Sequence, residues 1–205
     1  MRKHRFFVLD SLAVDQTLSL NDDLSHQIAR VLRLQVNDPI FLFNNSGAEF
    51  SAIITEIARK AISVTITAVN NLSLESPCKI QLGQVVGKDQ KMDLVFQKAT
   101  ELGVDTITPL FSEFSVKKNV PDRNANKLEH WQKIAIAASG QCWRNIVPTI
   151  NAPQDLFSWI EQNNAATKLL LSPNAAAKHL RDVSATNSIS ILIGPEGGFS
   201  ETEVT

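Results

Sequence analysis

The chain has 205 residues, enough for one large domain or two small ones, and its 43% hydrophobic and 20% charged content excludes general disorder. No apolar run is long enough to span a bilayer, and the basic start Met1-Arg2-Lys3-His4-Arg5 precedes an apolar stretch, Phe6 to Leu9, too short for a secretory leader; a cytoplasmic location is expected. A net charge of −1 excludes a uniformly basic nucleic-acid binder, so any grip on phosphates must rest on cations gathered locally.

Taken in chain order, Phe6 to Leu9 reads as a short strand and a compact helix begins near Asp22 or Ser25, with Ile28, Val31 and Leu32 along one side. Three strand-like runs rich in Ile, Val, Thr and Phe follow, at 39–43, 49–57 and 62–69, separated by the turn Asn44-Asn45-Ser46-Gly47 and the polar connection Ala58-Arg59-Lys60. One helix with several antiparallel strands suggests a small β-barrel, and 70–77 reads as a linker. Strands then alternate with helices, the signature of an α/β layer. The strands are 79–86, 105–111, 168–171 and 188–193. The helices are 88–102, closed by Gly103, and 122–138, with Asp122 as a cap. Another follows Pro153, and one more lies at roughly 175–180.

Cys78 and Cys142 are isolated and match no metal-ligand spacing, and neither do the four histidines, so no metal is expected. Gly83 to Lys88 has the wrong spacing for a phosphate loop, and no dinucleotide fingerprint or nucleophile elbow occurs. Of only eight glycines, three fall at 194, 197 and 198, at the carboxyl end of the strand 188–193. Ser200 and Glu203 then form a capping-box pattern that starts a helix. Such a turn can be plain connection, but its place outside a strand's carboxyl end, with Glu196 among the glycines, favours a ligand site. Gln141 and Arg144, three apart near a helix end, suit either recognition of a base or phosphate, or a dipole-countering role for the arginine. Cations gather in two places. One joins Arg2, Lys3, His4 and Arg5 to His26, Arg30 and Arg33; the other joins Lys88, Lys91 and Lys98 to Lys117 and Lys118. Composition alone favours solvated surface for each.

Four segments in this order resemble one family. They are His26-x-x-x-Arg30-Val31-Leu32-Arg33; Gln97-Lys98-Ala99-Thr100-Glu101-Leu102-Gly103-Val104 with Thr108-Pro109; Trp131-Gln132-Lys133-Ile134-Ala135 through Gln141, Arg144 and Pro148; and Ile193-Gly194-Pro195-Glu196-Gly197-Gly198. Together they resemble the RsmE type of SPOUT methyltransferases, enzymes that methylate N3 of a uridine in 16S ribosomal RNA. The resemblance implies a PUA-like RNA-binding β-barrel over 1–72 and a homodimeric, trefoil-knotted α/β methyltransferase domain over 73–205. It implies S-adenosylmethionine held by Leu171, Ser172, Ile193, Gly194, Glu196, Gly197 and Gly198. RNA contacts are implied at Arg5, His26, Arg30, Arg33, Lys98, Gln141 and Arg144. It also implies a further segment of the form LGxRxLRxETA that passes through the knot, which does not occur in the 205 residues; apolar surface is therefore expected around Ile191 and Ile193.

Uridine N3 must lose a proton before it can attack a methyl group, so Glu196 is the candidate acceptor and Arg144 the candidate stabiliser of the developing anion. Two alternatives stay open: a non-catalytic dimeric RNA-binding protein, or a SPOUT enzyme acting at another RNA position.

Overall fold

The computed structural model describes residues 4–59, 61–115, 121–171, 179–184 and 186–204, apart from the side chains of 89 and 121–124. It divides into two compact units, Met1–Glu75 with Ser139–Ile146, and Ser76–Ala138 with Val147–Thr205. The chain thus leaves the first unit, builds part of the second, and returns for eight residues.

The first unit contains β1 (Arg5–Phe7), β2 (Thr17–Ser19), α1 (Asp22–His26), a π-helical turn (Gln27–Val31), β3 (Pro39–Phe43), β4 (Glu49–Ile57) and β5 (Ile62–Asn70). The strands form one sheet in the order β1-β3-β4-β5-β2. Strand β4 explains why it folds here. Phe50, Ala52 and Ile54 alternate with less buried neighbours, so one face enters the core, and Ile62, Val64 and Ile66 of β5 meet them from the paired strand. Phe6, Ile40, Leu42 and Ile28 complete that core.

Two departures from the sequence expectations stand out. The pairing of β1 with β3 is parallel while the other pairs are antiparallel, because the segment carrying β2 and α1 separates β1 from β3 in the chain. The expected continuous helix is α-helical only to His26. Its next turn widens, with the Leu32 N–H reaching the Gln27 carbonyl at 2.9 Å, and Arg33 then turns into the left-handed region at φ 55°.

The second unit runs β6 (Lys79–Val85), α2 (Asp89–Glu101), β7 (Thr106–Phe111), α3 (Pro121–Cys142), β8 (Thr149–Ile150), β9 (Gln154–Asp155), α4 (Leu156–Gln162), β10 (Thr167–Leu171), a 3₁₀ turn (Leu180–Asp182), β11 (Ser188–Ile193) and α5 (Glu201–Val204). The last turn of α3, from Ser139, belongs to the first unit. The sheet is parallel, in the order β10-β11-β6-β7-β8, with β9 also on β7. Helix α2 buries Met92, Phe96 and Ala99, and Phe96 stacks on Trp131 of α3 with ring centroids 4.7 Å apart. Gly103 ends α2 in the left-handed conformation at φ 90°, and the Val104 N–H bonds the Ala99 carbonyl. Against the sheet, Val85, Leu110, Leu156, Trp159 and Leu192 form a second core cluster. Gly83 is required there: a Cβ on it would lie 2.8 Å from the Trp159 ring. Most of the helix expected at 175–180 lies outside the described residues, as does the Asp122 side chain. The expected apolar exposure sits on β10 rather than β11: Leu170 and Leu171 are exposed, while Ile191 and Ile193 are half-buried.

Candidate cofactor site

Parallel pairing sets Leu171, Ile193 and Gln84 side by side at the carboxyl ends of β10, β11 and β6. Strands β11 and β6 are neighbours although far apart in the chain, so the strand order breaks between them. Ligands in open α/β sheets bind outside the carboxyl ends at such a break. The turn 194–200 leaves the sheet there. The Gly198 N–H bonds the Pro195 carbonyl at 3.0 Å, and Gly198 itself is left-handed at φ 76°. At Gly194 a Cβ would come 2.9 Å from the Phe199 ring, so glycine lets that ring fold back over the strand end. Buried Gln84 donates to the Val85 carbonyl and, at 3.5 Å, to that of Gly194, tying the turn to β6.

Glu196 sits on the exposed side of this turn. Its carboxylate accepts from Lys91 at 2.9 Å, and a Cβ on Gly87 would approach it to 3.2 Å. The Lys91 hydrogen bond, then the residue's own backbone N–H, and more weakly the charge of Lys88, hold the Glu196 carboxyl below the ordinary carboxylate range. Behind the turn, one carboxylate does two tasks. Glu203 accepts from the Ser200 N–H and from the Glu113 N–H, both at 2.9 Å. The first is the reciprocal arm of the capping box; the Ser200 hydroxyl meets the Thr202 hydroxyl rather than the backbone. The second fastens the segment after β7 to the base of the glycine-rich turn. Residue type and spacing do not single out Glu113 or Gln84, and mark Lys91 only as one of a group of cations, because nothing in them identifies a backbone N–H or the Glu196 carboxylate as a partner.

Residues 74–205 match the model of an RNA methyltransferase domain, and residues 20–67 that of an RNA methyltransferase PUA domain. A ribosomal RNA small subunit methyltransferase E from Buchnera aphidicola is 38% identical over 200 residues, covering 97% of this chain and 79% of its own. The chain belongs to the ribosomal RNA small subunit methyltransferase E family. Two solved structures agree. A methyltransferase from Legionella pneumophila, in complex with bound S-adenosylmethionine, superposes with a TM-score of 0.95 at 35% identity, over 100% of this chain and 84% of its own. The methyltransferase E of Neisseria gonorrhoeae, bound to S-adenosylmethionine, gives 0.92 at 32% identity, over 99% and 84%.

Within this methyltransferase E fold, Leu171, Ile193, Gly194, Glu196, Gly197 and Gly198 come together in the second unit; Ser172 lies outside the described residues. Arg144 belongs to the first unit and Glu196 to the second. The expectation that Arg144 stabilises a reacting anion meets a physical obstacle. Its side chain is 6% exposed and its guanidinium pairs with Glu75, Nη2 to Oε2 at 2.6 Å and Nε to Oε2 at 3.1 Å. Nor do Gln141 and Arg144 project side by side. Helix α3 ends at Cys142, Trp143 turns left-handed at φ 71°, and the chain carries Arg144 inward while Gln141 stays exposed.

Arg5 is corrected in the same way. Rather than facing phosphate, its side chain is 2% exposed. It pairs with Glu49 at 2.9 Å, donates to the Ser139 and Gly140 carbonyls that end α3, and reaches the Asn145 amide oxygen at 2.6 Å. Phe43 and Trp143 lie on its faces, with centroids 4.8 and 4.9 Å away. Burial lowers its pKa, opposed by Glu49. Lys98 is exposed but paired with Glu101 at 2.7 Å. His26, Arg30 and Arg33 remain exposed, with side chains that make no hydrogen bond or ion pair to other described residues. Arg2, Lys3, Lys117 and Lys118 lie outside the described residues.

Proposed function

We propose that the protein transfers the methyl group of S-adenosylmethionine to N3 of a uridine in 16S ribosomal RNA, as a cytoplasmic homodimer. The observation that carries this reading is the glycine-rich turn at the β6–β11 break, in a family whose relatives have been solved with that cofactor bound. The residues fit the group. Gly198 has open space where a side chain would stand, Gly194 lets the Phe199 ring lie against the strand end, and Leu171 and Ile193 offer an apolar wall. Bound there, the cofactor supplies a methyl group already activated by its sulfonium charge, so the protein's contribution is placement.

The chain's own residues supply the proton handling. Glu196 is ionised at neutral pH and takes the N3 proton. Lys91, 2.9 Å from that carboxylate, supplies the positive charge for the uracil anion that the sequence assigned to Arg144. Arg144 instead holds the fold. In a methyl-transfer assay on small ribosomal subunits, with the native full-length protein, Glu196→Ala is expected to lower turnover more than about tenfold while S-adenosylmethionine still binds in calorimetry. Unchanged turnover removes Glu196 from the chemistry. Absence of saturable cofactor binding by the unaltered protein overturns the enzymatic reading in favour of an RNA-binding one.

A further inference from the structure

The first unit contains a hollow of about 480 Å³ between the π-helical turn and the β4–β5 hairpin. Its size lies within the range of small-ligand pockets, about 300–1,000 Å³. The floor is apolar, made by Ala29, Leu34, Ile57 and Ile62, and the rim carries Arg30, Arg59 and His26. These three side chains make no hydrogen bond or ion pair to other described residues. Elsewhere in this unit, Arg5 and Arg144 are both buried against carboxylates, so two guanidinium groups exposed beside one hollow, with no partner among the described residues, are a different kind of feature.

The walls are fixed before any ligand arrives. The buried Ser25 hydroxyl donates to the Leu20 carbonyl at 3.2 Å and accepts from the Ile62 N–H at 3.1 Å, pinning α1 to the start of β5. The Ala58 N–H bonds the Ala61 carbonyl, closing the hairpin that presents Arg59. The wide turn after His26 and the left-handed Arg33 then decide which cations face in. His26 and Arg30 line the hollow, and Arg33 does not.

We infer that this hollow is a subsite for one unstacked nucleotide of an RNA strand, its base on the apolar floor and its phosphates on Arg30 and Arg59. Flat guanidinium groups both stack on bases and donate in pairs to phosphate oxygens, and single-stranded RNA is read by taking bases out of the stack. Asp22, the carboxylate on the lining, is suited to accept from ribose hydroxyls, which would favour RNA over DNA. The inference deepens the proposed function and rests on its RNA substrate.

The test is amide NMR of the whole chain, titrated separately with uridine 5′-monophosphate, inorganic phosphate and a short single-stranded oligouridylate. The expected result is a shift of the Ala29, Leu34, Ile57 and Ile62 signals by the nucleotide and the oligonucleotide, with the oligonucleotide binding roughly tenfold tighter. Arg30→Ala and Arg59→Ala, both exposed positions, should each weaken oligonucleotide binding about tenfold, and Ala29→Phe should abolish the floor shifts. Equal shifts with inorganic phosphate alone overturn the base subsite. Tighter binding of the free nucleotide than of the strand overturns the RNA assignment, as does silence at the floor with every probe. S-adenosylmethionine, titrated in parallel, reports on residues 194–198. Cofactor binding with a silent hollow sinks this inference alone, and a responsive hollow without cofactor binding sinks the proposed enzyme alone.

Discussion

Arg144 and Glu196 are both ionic residues in matched motifs, yet their surroundings give them different tasks. Arg144 and Glu75 are almost fully buried against each other. Removing one partner of such a pair leaves an uncompensated charge inside the protein, so Arg144→Ala is expected to cost about 3–5 kcal/mol in denaturant unfolding. Replacing both, as Arg144→Met with Glu75→Leu, should restore most of that loss. A variant that keeps full stability but loses methyl transfer would return Arg144 to the chemistry. Glu196 is on the surface, and Lys91 holds its pKa down. Its ion pair is therefore complete above the ordinary carboxylate pKa and is lost as pH falls through the depressed folded value. Lys91→Ala should raise the carboxyl's NMR titration midpoint toward the ordinary value; no movement would mean that the pair does not persist in solution.

At the scale of elements, the glycine-rich turn is held from behind as much as it is shaped by its glycines. Glu203 occupies two backbone N–H groups from separate segments, and its loss leaves both without their acceptor. Glu203→Ala should destabilise the unit by about 1–3 kcal/mol and speed hydrogen exchange at the Ser200 and Glu113 amides. Glu203→Gln retains one amide oxygen and should fall between the two. If exchange at Glu113 stays at its original rate, the tie across the two segments is not what orders the turn. Gly83→Ala acts within the same unit, beneath Trp159 of α4. An added methyl group meets the Trp159 ring, and overpacking of this kind costs about 1–3 kcal/mol, read as a lower melting temperature.

Over the whole molecule, the cations of the first unit divide between buried and exposed positions: among its described residues Arg5 and Arg144 are buried, and Arg30, Arg33 and Arg59 are exposed. If the three exposed arginines each meet one phosphate, as proposed, their share of the slope of log affinity for single-stranded RNA against log salt is on the order of −2. The Arg30→Ala, Arg59→Ala pair should make it shallower by about 1.4. An unchanged slope would place the phosphate contacts elsewhere. The same contrast shows what residue patterns could and could not reveal. Strands at 39–43, 49–57 and 188–193 were legible because alternation and apolar runs are local consequences of burial, and the glycine cluster was legible because a left-handed turn at Gly198 and a close approach of a ring at Gly194 both select glycine. Arg5 was not legible as a core residue. Its partners are carbonyls of Ser139 and Gly140, whose identity leaves no mark in sequence. The π turn was missed for a similar reason: its residues are ordinary helix formers, and only the tertiary setting widens it.

The return of residues 139–146 to the first unit also bears on how the protein is made. A nascent chain that has emerged only to the end of β5 has every strand of its first sheet but lacks the carbonyls and the indole that close around Arg5. Its guanidinium must wait, hydrated or paired with Glu49 alone, while about seventy further residues are synthesised. At ribosomal speeds of roughly 5–20 residues per second that is several seconds of incompleteness, a window in which chaperones can act.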